Sequence, residues 1–234
     1  MLDSNVDVIT LRDSVSHELL KEIGVTRPEI IRAADPVLSL PQAEDSAVQQ
    51  AFASEGIPEG VDMAGFCLRS WSEFTDKQAV ADAARYCYEK HGLTPVVFPI
   101  EEPKDVPVGE EVAALAGCPC FVCRRHHSSD VIIGMLGRMK LVCGMRLHSL
   151  IFATAGGAPV VGISYDVKVD SFIKDIGSDS CIGVSDLSAG KLEKLIDDRL
   201  AAGEADALAK RDQLRVLEEL NGRAAAGLLR KEDA

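Results

Sequence analysis

Gly144-Met145-Arg146-Leu147-His148-Ser149-Leu150-Ile151-Phe152-Ala153 and, a few residues on, Pro159-Val160-Val161-Gly162-Ile163-Ser164-Tyr165-Asp166-Val167-Lys168-Val169-Asp170 carry the pattern that decides the fold. An apolar run ends at Met145, a polar group with two basic-type side chains follows, and apolar residues then recur at helical spacing. The unit repeats around Lys168. Each copy reads as a strand turning into a helix, with cations at the corner. In an open α/β sheet the carboxyl ends of the strands face the ligand crevice, and the helix N-termini beyond them offer unpaired N–H groups and partial positive charge. Neighbouring strands lie about 4.8 Å apart, so Arg146, His148 and Lys168 are expected to converge on an anion.

Working outward, a further strand is expected at 180–184, and two helical stretches, 188–202 and 205–229, close the chain. Upstream, strands are expected at 61–68, 94–100, 119–123 and 141–145, with helices at 76–90, 110–116 and 128–139 and a charged, proline-broken loop at 101–108. The helix at 76–90 puts Val80, Ala83, Ala84, Cys87 and Tyr88 on its inner side. Strands alternating with helices over this length imply βαβ units and a mostly parallel sheet of about six strands. Nearer the start, 6–11 alternates as a strand and 14–23 as a helix stopped by Gly24, with Arg12-Asp13 at their junction. A strand is expected around Ala34-Asp35-Pro36-Val37-Leu38. The acidic stretch 42–59, with Gly56 and Pro58, reads as a linker. The expected division is therefore 1–57, 58–204 and a C-terminal helix at 205–234.

With 234 residues and 47% hydrophobic content the chain can bury a substantial core. A formal charge of −12 disfavours nucleic acid or an anionic membrane surface as the main partner. Any anionic ligand needs a local cationic pocket. No apolar run approaches the roughly 20 residues of a spanning helix, and Met1-Leu2-Asp3 does not begin a signal peptide, so a cytoplasmic location is expected. Seven cysteines, mostly inside apolar runs (Cys67, Cys87, Cys143, Cys181), read as reduced core thiols.

Arg146-Leu147-His148 with the helix after it, and Ser164-Tyr165-Asp166 with Lys168, closely resemble the polysaccharide pyruvyltransferase family, enzymes that move pyruvate from phosphoenolpyruvate onto a sugar as a ketal. A looser match begins at Arg12-Asp13 and runs through Ala34-Asp35-Pro36-Val37. The resemblance covers most of residues 6–180 and corresponds to the second half of a full-length member. It implies a Rossmann-like, doubly wound donor domain of the glycosyltransferase-B kind, with 1–57 a remnant of the acceptor-side domain. It also implies phosphoenolpyruvate as donor, a sugar or lipid-linked saccharide of a cell-wall or exopolysaccharide precursor as acceptor, and no metal or organic cofactor. The location would then be cytoplasmic, peripheral to the membrane only through such an acceptor, with a separately encoded N-terminal domain or a homo-oligomer as partner. His148, Arg146, Lys168 and Arg12 take the catalytic roles in this reading, and Arg69, Leu147, Ser164 and Asp166 bind substrate.

The chemistry agrees with those residue types. Phosphoenolpyruvate carries a carboxylate and a phosphate close together; arginine recognises oxyanions in a bidentate fashion and lysine supplies a compact charge. Histidine is the usual proton carrier near neutral pH, so His148 either moves protons or holds the departing phosphate. Each residue has a plainer reading. His148 would be a structural histidine at a helix start, Arg146 a salt bridge to Asp166, Lys168 a solvated side chain and Arg12 a surface partner of Asp13. Arg69 would pack on Trp71, and Ser164 and Asp166 would cap the following helix. Cys118, Cys120 and Cys123 with His126-His127 resemble a metal set, but strand alternation puts Cys118 and Cys120 on one side and Cys123 on the other, so no metal is expected. Gly156-Gly157 reads as a helix stop. Two alternatives stay open: a nucleotide-sugar glycosyltransferase donor domain, or an inactive truncated binding module.

Overall fold

The computed structural model describes residues 2–232. The first elements are α1 (Leu2–Asn5), β1 (Val8–Leu11), α2 (Ser14–Glu22) and β2 (Glu29–Arg32), and β1 and β2 form a parallel two-stranded sheet. The strand expected around Ala34–Leu38 lies earlier, at β2. Pro36 has a fixed φ and no N–H, and Asp35 accepts from Val37 N at 3.1 Å, so the chain turns there into a 3-10 helix, Pro36–Ser39. The stretch read as a linker contains α3 (Asp45–Ser54), whose Val48, Ala51 and Phe52 are buried. Acidic residues at its ends, Glu44, Asp45 and Glu55, followed by Gly56 and Pro58, give the stretch the composition of a linker around this apolar stripe.

The chain continues through β3 (Met63–Cys67), α4 (Lys77–His91), β4 (Thr94–Val97), α5 (Val106–Ala116), β5 (Phe121–Val122), α6 (Ser129–Gly137) and β6 (Leu141–Gly144). It then forms α7 (Leu147–Gly156), β7 (Val160–Ser164), α8 (Val167–Asp175), β8 (Cys181–Gly183) and α9 (Ala189–Glu232). Helix α5 starts four residues before the expected position, because Pro107 sits in the first turn, where a missing N–H is no loss. Tyr88 of α4 is half exposed rather than inward-facing. The two expected closing helices run into one another in α9, broken only at Gly203 (φ 78, ψ −178).

Six strands form one all-parallel sheet in the order β5-β4-β3-β6-β7-β8. Every residue of β3, β4, β6 and β7 is buried, as in strands covered on both faces. Alternate side chains feed two cores. Met63, Cys67, Val96, Val142 and Val160 meet α3, α6, α7 and α8 on one face. Ala64, Phe66, Val97, Leu141, Val161 and Ile163 meet α4, α5 and the first part of α9 on the other. Strand order and two helical layers make this a doubly wound Rossmann-like sheet. At Gly144, a Cβ would lie 2.7 Å from Ser149 Oγ and 2.8 Å from Leu150, so the missing side chain lets α7 close directly over the end of β6.

The small sheet is tied to this body by Asp175 of α8, which accepts from Ser14 N at 3.2 Å, Ser14 Oγ at 2.9 Å and Arg32 at 2.6 Å. The far part of α9 adds Asn221 Nδ2 donating to Ala34 O at 2.9 Å. Among the described residues no helix is long and apolar enough to cross a membrane.

Candidate functional site

The order of the large sheet means that the chain winds outward from β3 to β5, then returns to β6 and winds the other way. Loops beyond β3 and β6 therefore diverge, leaving a crevice at the carboxyl ends, the usual ligand position in such sheets. Arg69 stands two residues past β3 and Arg146 two past β6. Tyr165 and Lys168 follow β7, Ile100 and Glu101 follow β4, and Arg12 follows β1. With Leu147 and His148 they line one cleft of about 280 Å³. Six of the eight residues named from the sequence thus come together: Arg12, Arg69, Arg146, Leu147, His148 and Lys168. Ser164 and Asp166 do not line it. A larger cavity, about 640 Å³, opens at the opposite ends of the strands beside Met63, Lys140 and Pro159, away from these cations.

Arg146 is the most firmly held. Its Nε and Nη2 donate to Asp105 Oδ2 and Oδ1 at 2.8 and 2.7 Å, and its Nη1 lies 2.6 Å from Glu101 Oε2. Asp105, fully buried, also accepts from Ser70 N at 3.3 Å and Glu101 N at 3.1 Å. Burial by itself would lower the guanidinium pKa, but the two carboxylates outweigh it and push it up. The expected partner of Arg146, Asp166, is elsewhere. Its side chain accepts from Lys168 N at 3.1 Å and caps α8, and that hydrogen bond, with Lys168 Nζ at 3.4 Å, holds its carboxyl below the usual range. Ser164 is buried and donates to Asp170.

Arg69 satisfies both of its readings. It faces the cleft, and its guanidinium lies 4.6 Å over the Tyr165 ring and 5.0 Å over Trp71, while Nη1 donates to the Tyr165 hydroxyl. Lys168 is partly exposed, 5.5 Å over the Tyr165 ring. Arg12 pairs with Asp35 at 2.7 Å rather than with Asp13, which caps α2 by accepting from Ser16 N at 2.8 Å. The two ends of the looser sequence match, Arg12 and Asp35, therefore meet. His148 is exposed in the first turn of α7, with its ring 6.2 Å from Phe152, and has no hydrogen-bond partner among the described residues. The N-cap of α7 is Arg146, whose side chain makes no capping bond, so the helix keeps its partial positive charge for a ligand.

Four cations and one carboxylate stand among the nine lining residues, a local cationic cluster in a chain of net charge −12. Glu101, Asp105 and Tyr165 were not assigned from the sequence. The available signals are a charged loop, 101–108, placed directly after a sheet strand, for Glu101 and Asp105, and the Ser164-Tyr165-Asp166 stretch for Tyr165. The cysteines fall as the alternation suggests: Cys118 and Cys120 pack against one core and Cys123 lies in the other. Among the described residues no three His, Cys, Asp or Glu side chains are grouped to hold a metal ion.

Residues 1–167 match the family model described as polysaccharide pyruvyl transferase, a span that ends one residue before Lys168. Among solved structures, the chain is similar to HepE of Anabaena in complex with UDP-glucose, at 12% identity over 97% of this chain and 65% of that one, with a TM-score of 0.59. It is similar to the E. coli ADP-heptose lipopolysaccharide heptosyltransferase II, at 14% identity over 69% of this chain and 53% of that one, TM-score 0.54. A glycosyl transferase family 9 protein from Veillonella parvula is 16% identical over 80% of this chain and 59% of that one, TM-score 0.53. The chain thus spans between about half and two thirds of these structures' lengths. Likeness at such identity speaks for the fold alone, which is that of the glycosyltransferase-B group. With the family model matched across both the Arg12 corner and the Arg-Leu-His corner, the chain belongs to the polysaccharide pyruvyl transferase family, a family of transferases.

Proposed function

We propose that the cleft binds phosphoenolpyruvate, and that the chain is the donor-side part of a pyruvyltransferase acting on a sugar of a cell-wall or exopolysaccharide precursor. The observation that carries this is the convergence of Arg12, Arg69, Arg146, His148 and Lys168 on one small cleft beyond the sheet. A carboxylate and a phosphate on one small molecule require several fixed cations at short range, and guanidinium groups held by buried or aromatic partners supply them without reorganisation.

In the reaction a proton reaches the methylene carbon, making it a methyl group and C2 electrophilic. One sugar hydroxyl adds to C2, the C2–O bond to phosphate breaks, and a second hydroxyl closes the ketal. Of the two hydroxyl protons, one balances the new methyl hydrogen and the other leaves on phosphate. His148, exposed and free to exchange protons, serves these transfers or receives the phosphate; Arg146 and Lys168 hold the two anionic groups. Ser164 and Asp166 act through α8 by fixing its start and Lys168 with it.

The test is calorimetric titration of the chain with phosphoenolpyruvate beside UDP-glucose. Saturable binding of the former and not the latter is expected, weakened about tenfold or more by Lys168→Ala. Binding of UDP-glucose instead moves the chain to the nucleotide-sugar transferases. Phosphoenolpyruvate binding without turnover, in an assembly that supplies the acceptor side, marks a binding module.

A further inference from the structure

Arg146 has two edges, and different carboxylates hold them. Its Nε and Nη2 rest on Asp105, which is buried beneath the cleft and neutralises the guanidinium charge where solvent is absent. Nη1 is taken by Glu101 Oε2 at 2.6 Å, and both residues line the cleft. Glu101 differs from Asp105 in every relevant respect. Its side chain is 39% exposed, it lines the cleft, and it has a second cation: Lys104, 71% exposed, is bound to the other oxygen, Oε1. Arg146 does not need Glu101 for burial, because Asp105 already satisfies the buried edge. In a cleft whose other charged lining residues, Arg12, Arg69, Arg146 and Lys168, are cations, this carboxylate instead occupies the position that a ligand oxyanion would take.

We propose that Glu101 is a built-in, displaceable counter-anion. A ligand oxyanion replaces it on Arg146 Nη1, and Glu101 swings onto Lys104 alone. No bond is made or broken except hydrogen bonds, and the charge pairs are conserved: Arg146 exchanges one carboxylate for another oxyanion, and Glu101 keeps Lys104. A tethered carboxylate competes at high effective concentration, so a single anion displaces it only at high concentration and binds weakly. A small ligand with two anionic groups succeeds, one group replacing Glu101 and the other held by the remaining cations. The identity of that ligand rests on the reading given under Proposed function; the exchange itself requires only an oxyanion.

The experiment titrates the wild type, Glu101→Gln, Lys104→Met and the double variant with inorganic phosphate and with phosphoenolpyruvate, with thermal unfolding to show that each variant is folded. Glu101→Gln keeps the side-chain shape and removes the charge, and is expected to bind both anions about three- to tenfold more tightly. Lys104→Met is expected to bind more weakly, and to change affinity by less than about twofold once Glu101 is already Gln. Weaker or unchanged binding by Glu101→Gln, or no phosphate binding by any variant, overturns the proposal. Phosphate binding that strengthens in Glu101→Gln, with no binding of phosphoenolpyruvate, leaves the exchange standing and removes the donor assignment.

Discussion

The large sheet and the small one are held in opposite ways. Strands β3, β4, β6 and β7 are buried along their full length and carry their own helices on both faces. Neither β1 nor β2 has a fully buried residue; the Arg12–Asp35 ion pair joins the pair's own corners, and Asp175 and α9 hold it from outside. The cations of the cleft inherit this difference. Arg69, Arg146 and Lys168 stand on corners of the large sheet, where backbone position follows from strand pairing. Arg12 reaches the same cleft only because the small sheet is docked.

The largest effect is expected where the large sheet's corner rests on a buried charge. Asp105→Ala leaves the Arg146 guanidinium half-desolvated and unpaired on its inner edge, a loss of about 3–5 kcal/mol for a broken buried pair, read by chemical denaturation. A loss below about 1 kcal/mol would mean that this corner, too, is held from outside. Asp175→Ala removes three hydrogen bonds between the two sheets and should cost about 1–3 kcal/mol. The cost should be local: limited proteolysis should cut within 6–40 well before global unfolding. Cleavage that only tracks global unfolding would erase the distinction between the sheets.

A smaller effect concerns the other flank of the large sheet, where Asp197 of α9 accepts from Tyr86 at 2.8 Å and Lys90 at 2.7 Å, with His91 Nε2 at 2.8 Å. Partial desolvation would raise its pKa, but the hydrogen bonds from Lys90, Tyr86 and His91 prevail and hold it at about 2, against 3.8 ordinarily. A depressed carboxyl stabilises the fold fully above its ordinary value, and that contribution is lost as pH falls through the folded one. The α4–α9 contact should therefore weaken between pH 3.8 and about 2, by less than about 1 kcal/mol because Asp197 is partly solvated. Asp197→Asn should flatten the acid limb of the stability profile. The smallest stability effect is expected at His148. It is exposed and has no hydrogen-bond partner among the described residues, so His148→Ala should change unfolding by no more than about 0.5 kcal/mol while lowering turnover about a hundredfold or more. Unchanged turnover would take His148 out of the reaction.

Legibility in the sequence follows the same division. The corners of the large sheet were readable because period-two and period-3.6 patterns meet there, with Arg146, His148 and Lys168 in the gap. Arg69 was readable for the same reason, and both of its expected surroundings, cleft and Trp71, occur together. Elements with mixed patterns read wrongly: α3 resembles a linker because Glu44, Glu55, Gly56, Pro58 and Glu59 flank it and its outer side is polar, and β2 lies earlier than expected because Asp35-Pro36 imitates a strand entry. Arg12 was placed on the right corner but given the wrong acid. Asp13, its neighbour, was needed to cap α2, and Asp35 approached from 23 residues away.

By itself the sequence determined the alternation of strands and helices, the burial of the central strands and the cationic corners, since each depends on side-chain periodicity over a few residues and on local backbone preference. Only the tertiary structure decided which strands are neighbours and hence that the corners after β3, β6 and β7 face one cleft. It also decided that Arg146 answers to Asp105 and Glu101 instead of Asp166. Those partners lie more than 40 residues upstream, and a charge pair over that separation leaves no periodic trace; it exists only once the strand order has brought the loops after β4 and β6 together.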